Sequence, residues 1–279
     1  MKNILIPTDF SENAWNAIEY ALRFFSKSSC NFYILHVNTS EVSRFQEQVS
    51  TNDDTIVSSV VKSPSKKLLQ QTIKRIVKSP YLSDKHRFYP VMDNNYILNS
   101  IRKQITEKKI DFIVMGTRGA SGLNNLAVGS NTGNVITKVK CTTLVVPENA
   151  KYVSPKEIAF PTDFSFFYNV ETLQPMADII EANHAAVRAL HINKKSTDLN
   201  EDQQKNKEFL DDYFNNHEHT FHFLTDHHIE DAVQNFVEHK HINLIAMMAK
   251  NLNYFQKILF HPTTPKKRYY TDVPFLVLH

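Results

Sequence analysis

A strand-and-turn sequence occurs twice in this chain of 279 residues, as ILIPTDFS at residues 4–11 and as IAFPTDFS at residues 158–165. Other landmarks recur in the same order, namely LHVN at 35–38 with LHIN at 190–193, IDFIVM at 110–115 with INLIAM at 242–247, and LVV at 144–146 with LVL at 276–278. Landmarks repeated in a fixed order indicate a duplicated unit. The sequence therefore predicts two tandem domains, residues 1–147 and 157–279, joined by a short polar segment.

Short apolar strands alternate with amphipathic helices in each copy. In the first copy the strands are predicted over residues 3–7, 32–37, 87–91, 112–115 and 142–146. An alternating order of strand and helix is typical of parallel strands joined by right-handed crossovers. Most of these strands are apolar runs without alternation, which indicates that both faces of each sheet are covered. We therefore expect an α/β fold with two tandem open parallel sheets of five strands, each flanked by helices.

All five glycines of the chain lie between residues 116 and 133. An average composition of about 7% glycine would give roughly 20 in a chain of this length, so glycine is concentrated where the main chain must stay uncovered. The spacing is G-x2-G-x9-G-S, running from Gly116 at the end of a predicted strand to Ser130 at a predicted helix start. Main-chain N–H groups at Gly116, Gly119 and Gly129, next to that helix start, form a cradle suited to an anion. A phosphate-bearing ligand is therefore expected.

The glycine segment resembles the nucleotide motif of the universal stress protein family, G-x2-G-x9-G-(S/T), without a gap. The Pro-Thr-Asp after the first strand, the Leu-His-Val of the second strand and the Leu-Val-Val-Pro at the end of the copy are similar to the same family. The resemblance covers nearly the whole chain as two copies. It implies the strand order 3-2-1-4-5 and ATP as the ligand, with an accompanying magnesium ion left open.

The resemblance also implies which residues of the first copy contact the nucleotide. Those assigned to the adenosine end are Pro7, Thr8, Asp9 and Val37. Those assigned to the ribose and the phosphates are Met115, Gly116, Arg118, Gly119, Gly129, Ser130, Asn131 and Thr132. The charge of Asp9 agrees with this division, because a carboxylate accepts from the adenine amine or a ribose hydroxyl but is repelled by phosphate unless a metal lies between them. An alternative is that the Pro-Thr-Asp sequence only ends a strand and caps a helix.

The second copy lacks the glycine segment. At a spacing of 132 residues, the counterparts of Gly116, Gly119, Gly129 and Ser130 are Met248, Asn251, His261 and Pro262. Bulky side chains cover the main chain there, and the proline removes an N–H where the helix start would donate. We therefore expect ATP in the first copy alone, and the second copy as its partner in an intramolecular pseudo-dimer. The resemblance implies pairing through the last strand of each copy, so Thr142–Val146 and Phe275–Leu278 are the edges expected to pair, and homodimerisation of the chain is left open.

Three classes of function remain: a stress-response regulator that senses a nucleotide, a slow ATPase, and an interaction scaffold without a ligand. We favour the regulator, because the sequence offers no obvious base for an attacking water and no second carboxylate for magnesium. No catalytic residue is therefore predicted, and at most weak ATP hydrolysis is expected. A dinucleotide-binding dehydrogenase and a P-loop NTPase are disfavoured, since no glycine follows the first strand and no G-K-(S/T) sequence is present.

Composition and charge argue against other partners. The formal net charge of +3 is too small to favour nucleic acid or an anionic membrane, and no apolar run approaches the ~18 residues of a membrane span. Two cysteines, Cys30 and Cys141, suit a reducing cytoplasm. The histidines concentrated in the second copy, among them His217, His219 and His222, are interpreted as a solvated face and not as a metal site, because their spacing fits no compact ligand template.

Overall fold

The structure is a computed structural model, and it describes residues 1–38, 64–117, 129–193, 198–226, 229–251 and 272–279. Residue contacts divide the chain into two compact units, Met1–Met115 and Gly116–His279. This division falls inside the first sequence copy, at the end of its fourth strand. The repeat boundaries, 1–147 and 157–279, stay a prediction of the sequence.

The first unit alternates strands and helices as the sequence predicts. Its strands are β1 (Lys2–Pro7), β2 (Cys30–Val37), β3 (His86–Asp93) and β4 (Phe112–Gly116). Its helices are α1 (Glu12–Phe24), α2 (Pro64–Val77) and α3 (Ile97–Lys108). Strand β1 lies between β2 and β4 and is parallel to both, and β3 continues the sheet beyond β2. Because these strands are parallel, their carboxyl ends meet at one edge of the sheet.

Strand β1 is an interior strand of the first unit. Ile4, Leu5 and Ile6 are fully buried, as expected of an apolar strand that is covered on both faces. Helix α1 begins after Ser11, whose hydroxyl accepts a hydrogen bond from Ala14 N at 3.2 Å. This cap satisfies one of the N–H groups that a helix start leaves without a helical partner. The cap therefore fixes the point at which the chain turns from β1 into α1.

The second unit repeats the alternation of strand and helix. Its strands are β5 (Thr143–Val146), β6 (Glu157–Pro161), β7 (Ala186–Asn193), β8 (His219–Thr225), β9 (Leu244–Met248) and β10 (Phe275–Leu278). Its helices are α4 (Ser130–Lys138), α5 (Val170–Asn183), α6 (Glu201–Tyr213) and α7 (Ile229–His239). Strand β6 lies between β7 and β9 and is parallel to both, and β8 continues the sheet beyond β7. Strands β6 to β9 thus repeat the arrangement of β1 to β4.

The helices are short, and several begin with side-chain caps. Helix α6 begins with a capping box, in which Asn200 Oδ1 accepts from Gln203 N at 2.9 Å and Gln203 Oε1 accepts from Asn200 N at 3.0 Å. Helices α2 and α5 have 14 residues each. Within the described residues, no helix is long and apolar enough to cross a membrane.

The predicted fold class and the strand order 3-2-1-4-5 are confirmed for the first copy, and the second copy has the matching order β8-β7-β6-β9-β10. The two edge segments singled out in the sequence also pair. Strand β10 runs antiparallel to β5, with Leu276 opposite Leu144 and Phe275 opposite Val145. All four side chains are buried. An apolar antiparallel ladder therefore joins the last strands of the two copies.

Shortening a side chain in this ladder tests its contribution to stability. We expect Leu276→Ala to lower the free energy of unfolding by about 2–5 kcal/mol, because a fully buried leucine leaves a cavity when it is truncated. Urea denaturation followed by circular dichroism measures the change. The control is Leu68→Ala in α2, where the leucine is 42% exposed and the expected loss is below about 1 kcal/mol. Equal losses in the two variants would contradict a buried ladder.

Candidate functional site

A turn anchored by a threonine leads from β1 to α1 at the edge where the parallel strands end. Thr8 is buried, its N–H donates to the Leu35 carbonyl at 2.8 Å, and its hydroxyl accepts from Phe10 N at 3.1 Å. Phe10 has a left-handed backbone conformation, with φ of 67°. This conformation is strained for a bulky residue and persists where surrounding contacts impose it. The turn leaves Asp9 exposed beside the end of β1.

The Asp9 carboxylate takes part in the start of α1. Its Oδ1 accepts from Ser11 N at 3.0 Å and from Ser11 Oγ at 2.6 Å, and the same hydroxyl caps α1. One oxygen of Asp9 therefore supports the helix cap, which is the structural alternative that the sequence left open. An ionised carboxylate has two oxygens with about four acceptor positions, so this role is compatible with a donor from a ligand.

His36 supports the turn from β2. Its Nδ1 donates to the Thr8 carbonyl at 2.9 Å, and its ring stacks on Phe10 with the ring centroids 4.4 Å apart. His36 is therefore a packed residue at a strand end. Val37 follows it as the last residue of β2 and is partly exposed. Successive side chains of a strand point to opposite faces, so Val37 and the stacked pair lie on different faces of the sheet.

Gly116, which is the last residue of β4 and the first residue of the second unit, is hydrogen-bonded to the first turn of α4. Thr132 is buried, and its hydroxyl donates to the Gly116 carbonyl at 2.8 Å. The Gly129 amide donates to the Thr117 carbonyl, and Gly129 is the N-cap residue of α4. These bonds hold the first turn of α4 next to the last residue of β4.

The first turn of α4 has the character of an anion-binding position. No helical carbonyl precedes Ser130, Asn131 and Thr132, so their N–H groups are not used within the helix. The helix dipole makes this end positive, and Ser130 and Asn131 are exposed. The Gly129 amide, which was expected in the cradle from the glycine spacing, instead donates to the Thr117 carbonyl. The N–H groups at the start of α4 that have no helical carbonyl as acceptor are thus those of Ser130, Asn131 and Thr132.

The predicted site residues fall in both units. In the first unit the structure places Pro7, Thr8, Asp9 and Val37 at the strand ends and Met115 near the end of β4. In the second unit it places Gly116, Gly129, Ser130, Asn131 and Thr132 around the start of α4. Arg118 and Gly119 lie outside the described residues, as do His261 and Pro262 of the second copy.

The second copy builds the same turn from the repeated sequence. Thr162 N donates to the Leu190 carbonyl at 2.9 Å, its hydroxyl accepts from Phe164 N at 3.0 Å, and Phe164 has φ of 55°. His191 Nδ1 donates to the Thr162 carbonyl at 3.0 Å, and its ring stacks on Phe164 with centroids 5.2 Å apart. The turn is therefore a property of the repeat. A difference in ligand binding between the copies must come from what surrounds the turn.

The histidines of β8 and the residues before it make local hydrogen bonds. His219 Nε2 lies 2.8 Å from Asp211 Oδ1, and its Nδ1 lies 3.0 Å from the His217 carbonyl. His222 Nε2 lies 2.9 Å from Thr220 Oγ1. In the part of the chain that the structure describes, no three His, Cys, Asp or Glu side chains are grouped so as to hold a metal ion.

The contact between His219 and Asp211 predicts a pH-dependent contribution to stability. Burial disfavours the charged form of His219, but its hydrogen bonds to Asp211 and to the His217 carbonyl outweigh burial and raise its pKa. A raised folded-state pKa gives stability that is present below the unfolded value of about 6.5 and is lost as the pH rises through the folded-state pKa.

Asp211→Asn should therefore lower the free energy of unfolding more at about pH 5.5 than at about pH 8.5. The expected loss at the lower pH is up to about 1 kcal/mol, because Asp211 is 54% exposed and solvent screens the pair. Urea denaturation at the two pH values measures the difference. A larger loss at the higher pH would show that the charged pair does not contribute.

Comparison with known proteins shows similarity to the universal stress protein family. The model of the universal stress protein family matches residues 98–147. A universal stress protein of Methanocaldococcus jannaschii is 27% identical over 150 residues, which are 54% of this chain and 84% of that protein. The structure of a universal stress protein from Archaeoglobus fulgidus covers 99% of this chain and 97% of its own, at 15% identity and a TM-score of 0.61. A functionally unknown protein from Pseudomonas aeruginosa covers 100% of this chain and 92% of its own, at 9% identity and a TM-score of 0.58.

The two structural matches run over nearly the full chain and support its fold, an α/β protein with open, mainly parallel sheets. The family-model match runs from α3 to the end of β5 and therefore includes the glycine segment. With the relative from Methanocaldococcus jannaschii, it confirms the resemblance to the universal stress protein family, here in a tandem form.

Proposed function

We propose that this protein is an ATP-binding regulator of a stress response and that its first copy holds the nucleotide. The observation that carries the proposal is the uninterrupted G-x2-G-x9-G-S segment of the first copy, which leads into Ser130 at the start of α4. Glycine-rich segments that lead into a helix start bind phosphate through main-chain amides. ATP suits this arrangement, because its phosphates can bind at the start of α4 and its adenosine at the ends of the strands.

The phosphates are assigned to the glycine segment and to the first turn of α4. The N–H groups of Ser130, Asn131 and Thr132 are the donors, and the exposed Ser130 and Asn131 side chains add further ones. The glycines of the segment have no Cβ atoms, so phosphate oxygens can come close to the main chain. Arg118 is assigned a charge-assisted contact. A magnesium ion, if bound, belongs with the phosphates.

The adenosine is assigned to the ends of β1, β2 and β4. Val37 offers an apolar contact to the base, Met115 is assigned to the ribose, and Pro7 and Thr8 shape the turn beside the adenosine. Asp9 is exposed at this edge and is assigned as the acceptor for the adenine amine or a ribose hydroxyl. Its negative charge disfavours a place beside the triphosphate, since like charges repel strongly at short distance.

The sequence favours occupancy by a nucleotide over its hydrolysis, because it offers no obvious base for an attacking water and no second carboxylate for magnesium. In the turn, His36 and Asp9 have structural contacts: His36 stacks on Phe10 and donates through Nδ1 to the Thr8 carbonyl, and one oxygen of Asp9 binds Ser11. Binding groups without groups that act in the transition state give a long-lived occupied state, which a regulator presents to its partner.

The second copy is assigned a structural role as the partner of the first in an intramolecular pseudo-dimer. The ladder between β5 and β10 supports this role, because it joins the ends of the two copies through the buried pairs Leu144–Leu276 and Val145–Phe275. Antiparallel pairing of equivalent edge strands is what a two-fold arrangement of like domains produces.

Replacing Gly119 tests the ATP proposal. Gly119→Val places a branched side chain where the main chain is expected to meet phosphate, and we expect the affinity for ATP to fall about 100-fold or more. Isothermal titration calorimetry of the full-length chain measures the affinity, and thermal unfolding verifies that the fold is kept. Gly122→Ala, in the same segment but outside the motif, is the matched control and should bind like the wild type. Equal affinity of Gly119→Val and wild type, or no binding by the wild type, would contradict the proposal.

The nucleotide carried by the purified protein distinguishes a regulator from an ATPase. We expect ATP as the main adenine nucleotide released on denaturation, because the site is built to bind and not to hydrolyse. Anion-exchange chromatography of the supernatant identifies the species. Mostly ADP would favour a slow ATPase. No released nucleotide, together with no binding of added ATP, would favour a scaffold without a ligand.

A further inference from the structure

The carboxylate of Asp163, the counterpart of Asp9, is bound by a side chain that lies far away in the sequence. Asn251 Nδ2 donates to Asp163 Oδ1 at 3.1 Å, across 88 positions. Ser165 N donates to the same oxygen at 3.1 Å. Asn251 is only 3% exposed, and its own N–H donates to the Met248 carbonyl at 3.0 Å. The amide is therefore buried and held against the carboxylate.

Two side chains of α6 also donate hydrogen bonds to the main chain of this turn. Gln203 Nε2 donates to the Asp163 carbonyl at 2.8 Å, and Asn206 Nδ2 donates to the Phe164 carbonyl at 2.7 Å. Gln203 is also the residue that closes the capping box of α6. The Asp163 turn is thus bound by the segment after β9 and by α6, whereas Oδ1 of Asp9 binds the cap of the helix that follows it.

Asn251 occupies the position at which the first copy has Gly119, given the 132-residue spacing of the repeat. A primary amide donates N–H hydrogen bonds to a carboxylate, as the amine of adenine or a ribose hydroxyl would. Glycine has no side chain and cannot supply such a donor. In the proposed ATP site, the adenosine of the ligand is the donor at Asp9, the counterpart of Asp163.

We propose that Asn251 substitutes for a ligand's hydrogen-bond donor at Asp163, so that the second copy is held in an occupied arrangement without a nucleotide. This inference rests on the proposed ATP site, in which Asp9 accepts from the adenosine. It attributes the loss of binding in the second copy to a filled position in addition to the missing phosphate cradle. ATP should then protect the turn at residues 7–11 and leave the turn at residues 161–165 unchanged.

Hydrogen–deuterium exchange of the full-length chain, with and without ATP, tests the proposal. The reporting amides are those of Phe10 and Ser11 in the first copy and of Phe164 and Ser165 in the second, each hydrogen-bonded within its turn. We expect ATP to slow exchange at Phe10 and Ser11 about tenfold or more and to leave Phe164 and Ser165 unchanged. Asn251→Ala should speed exchange at Phe164 and Ser165 about tenfold or more, with or without ATP.

Two further variants separate loss of the donor from a general loss of structure. Asn251→Asp keeps the shape of the side chain but places a second carboxylate against Asp163, so it should speed exchange at least as much as Asn251→Ala. Asn243→Ala is the matched control, because Asn243 Oδ1 accepts from Lys156 N and Glu157 N at the start of β6, away from the Asp163 turn. It should not speed exchange at the Asp163 turn more than in the rest of the second copy.

The outcomes for the two proposals are distinguishable. Unchanged exchange at the Asp163 turn in both Asn251 variants overturns the role of Asn251, whatever ATP does to the first copy. Protection of the Asp163 turn by ATP in the wild type also overturns it, because a filled position would then be accepting a ligand. If ATP protects neither turn while Asn251→Ala still speeds exchange, the ATP site is contradicted and the substitution for a ligand fails with it.

Discussion

One threonine in each copy holds the point at which the central strand leaves the sheet. Thr8 and Thr162 use the same three groups: the N–H donates to a leucine carbonyl of the next strand, the hydroxyl accepts from a phenylalanine N–H, and the carbonyl accepts from a histidine ring. These bonds hold the phenylalanine in its left-handed conformation. The aspartate between the threonine and the phenylalanine is thereby placed at the edge where parallel strands end, which is where open α/β sheets bind their ligands.

The hydrogen bonds within this turn are the same in the two copies, but the residues around the turn differ. In the first, Asp9 is exposed, and the chain carries a glycine segment that leads to the positive end of α4. In the second, buried Asn251 and two side chains of α6 bind the turn, and residues with large side chains follow β9. The same turn is thus bound in the second copy by polar side chains from distant parts of the sequence, and we propose that it serves a ligand in the first copy.

Much of the fold is predictable from the sequence, because apolar runs, caps and repeated landmarks act over short distances. The pairing of β5 with β10 agrees with what the family resemblance implies for the last strands of the two copies. That pairing gives a physical reason for the compact unit that begins at Gly116, because β5 packs with the strands of the second copy. The hydrogen bond between Asn251 and Asp163 is not predictable from the sequence, because a contact between two polar residues 88 positions apart produces no periodic pattern. The donation from Gly129 to Thr117 also depends on how a segment closes in space.

A crystal structure of the full-length chain grown with a non-hydrolysable ATP analogue tests most directly the proposal that the first copy alone binds a nucleotide. We predict one nucleotide per chain, with its phosphates on the N–H groups of Ser130 and Asn131 and its adenosine beside Asp9. Asn251 should remain bound to Asp163 in the same crystal. A nucleotide in the second copy, or a first copy without one at saturating analogue, would contradict the central claim.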